Sequence, residues 1–199
     1  RWIKLRPIQV SRLTISETPL DNLCVLERNP IIDNRGFLER VFCINELDRF
    51  LDGKIIRQVN HTLTEGEGAV RGMHFQYPPY CEQKIVSCMR GEVYDVAIDL
   101  RKNSPTFLKY YGVVLSADNF RSLYIPEGFA HGFQALSPEC EMLYFHTADY
   151  HAPAEGGINA LDPAISINWP LKISELSSRD RQHAFLDSSY SGVDLHVLS

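Results

Sequence analysis

The 199-residue sequence has no apolar run approaching the roughly 20 residues that a membrane-spanning helix requires. It has no block of like charges either, and a net charge of −5 gives no reason to expect nucleic acid or a membrane surface as partner. The opening "RWIKLRPIQV" lacks the apolar core and small-residue cleavage site of a signal peptide. Its first residue is Arg, from which loss of an initiator Met is expected. The five cysteines (Cys24, Cys43, Cys81, Cys88 and Cys140) form no CxxC pair. Their odd number and scatter argue against a disulfide frame or a structural zinc, and for reduced thiols in a cytoplasm. No Walker loop is present, and the glycines of "GEGAVRG" (66–72) do not follow G-x-G-x-x-G spacing, so a turn is expected there rather than a dinucleotide site. There is no internal repeat and no low-complexity tract.

What is present is an ordinary globular composition, 44% hydrophobic and 23% charged. It predicts one domain over 1–199: an N-terminal strand and helix over about 1–56, a β-core over about 57–170, and a C-terminal helical tail over 171–199. "INELDRFL" (44–51) places Ile44, Leu47 and Leu51 at helical spacing, with Gly53 as a stop. "KIVSCM" and "EVYDVAIDL" read as strands joined by a tight hairpin at Arg90-Gly91. Further strands are predicted at 110–116, 122–126, 131–136, 141–148 and 165–169, with Gly, Pro, Asn and Ser between them. That rhythm belongs to an antiparallel sandwich or barrel rather than to βαβ units. "SELSSRDRQHAFL" (174–186) is predicted to start a short helix capped by Ser177 or Ser178.

The polar residues inside these runs are the candidates for chemistry. "RGMHFQ" (71–76) sets Arg71, His74 and Gln76 on one strand, where His74 is a core histidine, a metal ligand or a general base. "IPEGFAHGF" (125–133) resembles the second signature of the cupin superfamily, and His74, Gln76 and Glu82 fall where a metal-binding cupin carries His, His and Glu. A neutral Gln76 in place of the second histidine removes a strong ligand, so a barrel without metal is expected. Alternation puts Lys84 on the face of Val86 and Cys88, so that it either points inward and must be paired or functional, or opens the strand in solvent. Tyr144 reads alone as a packed tyrosine, and Asp180 as a carboxylate at a helix start.

Read together, the segments resemble a known family. "DNRGF" (33–37), "QVNH" (58–61), "VRGMHFQ" (70–76), "KIVSCMRGEVYDVAIDLRKNSPTF" (84–107), "LSADN" (115–119), "YIPEGFAHGF" (124–133), "LYFHTADY" (143–150), "DPAISINWP" (162–170) and "LSSRD" (176–180) occur in that order. The chain is similar across nearly its whole length to the dTDP-4-dehydrorhamnose 3,5-epimerase family. The resemblance implies a mostly β, cupin-type jelly roll (a double-stranded β-helix) with a few short peripheral helices. It also implies a homodimer exchanging N-terminal strands, no metal or nucleotide cofactor, and a dTDP-linked 4-keto-6-deoxyhexose as substrate. Matched to the family's motifs, His74 is the base, Asp180 orients and charges it, Lys84 steadies the enolate oxygen, and Tyr144 returns a proton from the opposite face. Arg35, Gln58, Asn60, Arg71, His131 and Glu155 match substrate contacts, Tyr150 the aromatic stacked on thymine.

The chain departs from the family's pattern in places. Arg179 stands for the usual Lys of the closing motif, Arg40 for a frequent Glu, Ala160-Leu161 for Trp-Asn, and Glu82 opens the approach to Lys84 where Gln is usual. These changes lie around the substrate pocket and leave open a mono-epimerase acting at C3 or C5 only, or a sibling sugar. From other classes, a metal-dependent cupin oxygenase or isomerase and a non-catalytic sugar-nucleotide binding module are the alternatives. Plain alternation places Arg71 and His74 on opposite faces, so both reach one site only if a bulge or Gly72 twists the strand.

Overall fold

In a computed structural model that describes residues 11–196, the alternating runs pair into two antiparallel sheets facing each other. With strands numbered along the chain, the six-stranded sheet runs β1 (Leu13–Glu17), β2 (Cys24–Arg28), β10 (Arg121–Ile125), β7 (Lys84–Arg90), β12 (Glu139–His146) and β5 (Gln58–Glu65). The five-stranded sheet runs β13 (Glu155–Gly157), β6 (Val70–Gln76), β11 (Phe129–Ala135), β8 (Glu92–Asp99) and β9 (Tyr110–Ser116). A small hairpin, β3 (Ile31–Asp33) and β4 (Gly36–Leu38), stands apart from both. This is the expected jelly roll, but β7 and β8, expected to pair as a hairpin across Arg90-Gly91, lie in opposite sheets, and the turn carries the chain from one sheet to the other. Residues 1–10, where the opening of the expected N-terminal segment falls, lie outside the described part.

Period-2 alternation sorts the side chains into three apolar layers. Between the sheets lie Val86 and Cys88 of β7, Val93 and Ala97 of β8, and Phe129 and Phe133 of β11. The outer face of the six-stranded sheet is covered by α1 (Ile44–Leu51), the helix read from the sequence, whose Leu47 and Leu51 pack on Leu26, Ile85 and Tyr124. Both leucines are fully buried, worth about 2 kcal/mol each. The helix ends where Asp52 turns left-handed (φ 48°) and its N–H donates to Asp48 O.

The outer face of the five-stranded sheet is covered by the C-terminal stretch, which accounts for one expectation that fails. Residues 165–169 alternate, and Ile165, Ile167 and Trp169 pack on Val96, Ile98 and neighbours, yet the segment is not a strand. Its Ser166 and Asn168 N–H groups donate to Asp162 O and the Tyr110 hydroxyl, so its alternation reflects burial without ladder pairing. The expected helical tail is likewise mainly irregular. Within its described residues the only helix is α2 (Ser178–Arg181), with Ser177 accepting from Asp180 N–H as its cap.

The run "DLRKNSPTF" within one of the family-like motifs is architectural. The buried Asp99 carboxylate accepts from Arg101, Ser104 (2.6 Å) and Thr106 (2.6 Å), closing the β8–β9 connection.

β6 does bend as the two-face problem required. His131 of β11 pairs with His74 and Phe133 with Arg71, so three steps on β6 oppose two on β11. The extra residue falls at Gly72, whose φ of +123° suits glycine. A Cβ there would meet Gly132 Cα at 2.5 Å and His131 O at 2.8 Å. Gly72→Ala is therefore expected to lower unfolding free energy by about 2–4 kcal/mol in urea melts, combining a left-handed penalty with a backbone clash.

Candidate active site

The inner faces that carry the apolar core change to polar residues toward one end of the barrel. On β12 the inward series is Cys140, Met142, Tyr144, His146, and on β7 it is Cys88, Val86, Lys84. A cavity of about 650 Å³ opens there, its lining including His74, Lys84, His131, Tyr144 and Asp180. A smaller one of about 300 Å³ shares Asn60, His74, Lys84 and His146 with it and continues to Tyr150 and Glu155.

His74 and Asp180 form the best-defined pair. Asp180 Oδ1 lies 2.7 Å from His74 Nε2, and Asp180 Oδ2 accepts from the Gly72 N–H at 3.3 Å. The carboxylate is almost wholly buried on α2. Burial alone would raise its pKa, but the hydrogen bonds from His74 and Gly72 and the His74 charge outweigh it and hold the carboxyl well below the usual range. The tautomer that donates Nε2–H to Asp180 leaves the Nδ1 lone pair of His74 free to take a proton. Arg179 reaches the same histidine, its Nη2 3.0 Å from Nε2, while its Nη1 donates to Glu155 at 3.1 Å.

Lys84 is buried and points inward, paired with Glu82 at 2.9 Å. Glu82 also meets His146 Nδ1 at 2.8 Å. Desolvation pushes the Glu82 pKa up, but Lys84 and His146 pull it below its ordinary value, so Glu82 is a carboxylate at neutral pH. From His146 a chain of contacts leads outward: Asn60 (3.4 Å), Gln58 (3.1 Å from Asn60), and the Tyr150 N–H, which donates to Gln58 at 3.1 Å. The Tyr150 hydroxyl in turn donates to Glu155 at 2.9 Å. Burial pushes the Tyr144 phenol pKa well above its usual value, so Tyr144 stays a proton donor at neutral pH. His131 is buried against Asp95 at 2.9 Å, forming a second His–Asp pair in the cavity wall. The bend in β6 brings Arg71 to the same cavity, its guanidinium donating to Thr64 Oγ1 at 2.7 Å.

Eleven of the twelve residues selected from the sequence thus line one or both cavities. Arg35 does not. It sits at the tip of the β3–β4 hairpin, 86% exposed and paired with Asp33 at 2.6 Å. Of the residues not selected, His146 lines both cavities, while Asp95 and His183 stand outside them, behind His131 and Asp180. His146 was findable, since it lies two positions beyond Tyr144 on the same strand face, and Asp95 follows Val93 inward in the same way. His183 carried no such signal. Its pKa is lowered by burial and by the nearby His74. The donors expected of a metal-binding cupin are engaged elsewhere: Glu82 with Lys84 and His146, His131 with Asp95, and the Gln76 amide with the Tyr80 and Asp149 carbonyls.

A jelly roll whose polar end holds a His–Asp pair, a lysine paired with a buried carboxylate and a protonated tyrosine around one cavity has the parts of an isomerase that moves protons at carbon. The dTDP-4-dehydrorhamnose 3,5-epimerase family profile matches residues 17–188. A Shigella flexneri dTDP-4-dehydrorhamnose 3,5-epimerase is 40% identical over 180 residues, covering 89% of this chain and 99% of that protein. The crystal structure of the Bacillus anthracis enzyme of that name, with TDP and PPi bound, has a TM-score of 0.84 at 36% identity, covering 87% of this chain and 99% of the other. A Legionella pneumophila dTDP-6-deoxy-D-glucose-3,5-epimerase in complex with dTDP-4-keto-L-rhamnose has a TM-score of 0.80 at 35% identity, covering 94% and 95%. The chain belongs to the dTDP-4-dehydrorhamnose 3,5-epimerase family.

A carboxyl held low in the folded state contributes stability above its ordinary pKa of about 4, and that contribution is lost as pH falls below it. Asp180→Asn should therefore be less stable than the parent at neutral pH, with the gap narrowing below about pH 4. Urea unfolding across that range measures it, and a constant gap would contradict the assignment.

Proposed function

We propose that the chain is a cofactor-independent dTDP-4-dehydro-6-deoxy-D-glucose 3,5-epimerase of deoxysugar biosynthesis, with His74 as base and Tyr144 as acid. The observation that carries this reading is the His74–Asp180 pair lining one cavity with Lys84 and Tyr144. The C4 ketone of such a sugar acidifies the protons on C3 and C5. His74 Nδ1 takes one of them, Asp180 balances the imidazolium, and the Lys84 ammonium stabilises the enolate oxygen. Tyr144 then returns a proton from the opposite face. Arg71, Arg179 and His131 contact the sugar diphosphate, while Gln58, Asn60 and Glu155 hold the substrate on the side where Tyr150 stacks on the thymine.

We further propose a homodimer, and a single domain over 1–199. Ile32 (72% exposed) and Leu38 (68% exposed) on the β3–β4 hairpin support the dimer, as does the position of Arg35 away from its own cavity. A partner subunit would bury the hairpin and bring Arg35 to the neighbouring site. Among the described residues no helix is long and apolar enough to cross a membrane. The five free cysteines support a reducing cytoplasm as the enzyme's location.

Incubation with dTDP-4-keto-6-deoxyglucose in D₂O tests the reading. Deuterium is expected at both C3 and C5 by NMR, and His74→Asn should slow its entry at least about 100-fold. Label at one carbon only would make the chain a mono-epimerase, and no label at either would overturn the proposal.

A further inference from the structure

One polar atom beside the His74–Asp180 pair has no partner. His183 lies just beyond α2, and its Nε2 is buried without a hydrogen bond, 4.0 Å from Asp180 Oδ1. The His183 and His74 rings are 6.2 Å apart. One ligand atom from each of His74, Asp180 and His183 falls within a set whose members all lie within 4.8 Å of one another. Two imidazoles and one carboxylate are a donor set that zinc and its first-row neighbours take, leaving a further position open.

We propose that His74, Asp180 and His183 form a binding site for a divalent transition-metal ion, zinc foremost, that switches the base off. Ligand atoms of a tetrahedral zinc site stand about 3.4 Å apart, given metal–ligand bonds of about 2.0–2.2 Å. Reaching that spacing opens the 2.7 Å His74–Asp180 contact and closes the 4.0 Å Asp180–His183 gap by comparable amounts. Arg179 opposes the ion, since its Nη2 is 3.0 Å from His74 Nε2. It is more than half exposed and already paired with Glu155, so it has somewhere to withdraw.

The inhibitory effect follows from the tautomer. An ion on Nε2 takes that lone pair, and the single proton of the neutral ring moves to Nδ1. The nitrogen that would accept a proton from substrate then carries one, and no proton is gained or lost overall. This consequence rests on His74 being the base, whereas the metal site does not.

Titration of the EDTA-stripped chain with Co²⁺, followed by displacement with Zn²⁺, tests the site. About one ion per chain is expected, with the visible spectrum of a four- or five-coordinate nitrogen–oxygen site, and deuterium exchange into substrate should fall as Zn²⁺ fills it. His183→Gln should weaken Zn²⁺ binding at least about tenfold, leave metal-free exchange intact, and desensitise that exchange to Zn²⁺. Arg179→Gln should tighten Zn²⁺ binding, which keeps the proposal testable should the His183 variant fail to fold. Absence of the Co²⁺ spectrum, or equal affinity in His183→Gln and the parent, overturns the site. A His183-dependent site that leaves exchange unaffected overturns the switch and points to a base other than His74.

Discussion

The bend of β6 at Gly72 is the constraint on which the rest of the site depends. A regular strand would send Arg71 and His74 to opposite faces, one into the cavity and one into the outer apolar layer. The extra residue puts both toward the cavity. It also leaves the Gly72 N–H, which would otherwise belong to a ladder, directed at Asp180 Oδ2. The same distortion that aims the histidine therefore supplies part of the hydrogen bonding that keeps its carboxylate partner ionised in a buried position. Gly132 on the facing strand completes the fit, because Gly72 approaches its Cα too closely for a side chain on either residue.

The barrel gives this bend something rigid to act against. β7 and β12 carry core residues at one end and site residues at the other on a single face, so Lys84 and Tyr144 stand on the same packed floor as Val86 and Met142. The outer layers are closed separately, by α1 on one sheet and the C-terminal stretch on the other. Because the C-terminal stretch also contains α2, packing on the outside of the five-stranded sheet delivers Asp180 to the inside of the site. A carboxylate 106 residues from its histidine in sequence is positioned by that route.

How far the sequence disclosed this depends on which physical signal each element carried. Local periodicity was sufficient for α1, whose two buried leucines fall at helical spacing, and for the extents of β7 and β8 around Arg90-Gly91, but not for their pairing, since the two strands belong to opposite sheets. It misled at 165–169, because apolar alternation reports burial and is silent about whether a neighbouring strand is there to pair with. The bend in β6 was legible only as a contradiction: two residues wanted in one place, on a pattern that separates them, with a glycine between. Alternation left Lys84 either inward or at the solvent end of its strand, and the His146 that meets its Glu82 partner is brought there by the register of β12 on β7, which no single strand reveals. His183 depends on how a four-residue helix docks against a distant strand, and nothing near it in the sequence encodes that. One of the motifs that carry the family resemblance, around Asp99 and Thr106, holds a loop shut.

The chain of contacts from Tyr150 through Gln58, Asn60, His146 and Glu82 to Lys84 has a kinetic meaning. Its outer end lies at the rim where the proposed function places the nucleotide, and its inner end holds the buried Lys84. Under the proposed function, grip and charge placement would be linked through these contacts, so a ligand that engages the rim poorly would also leave Lys84 poorly aimed. For a substrate held as proposed, binding energy collected at the rim would be converted into alignment at the reacting carbon, and one shortened at the nucleotide end would forfeit turnover as well as affinity.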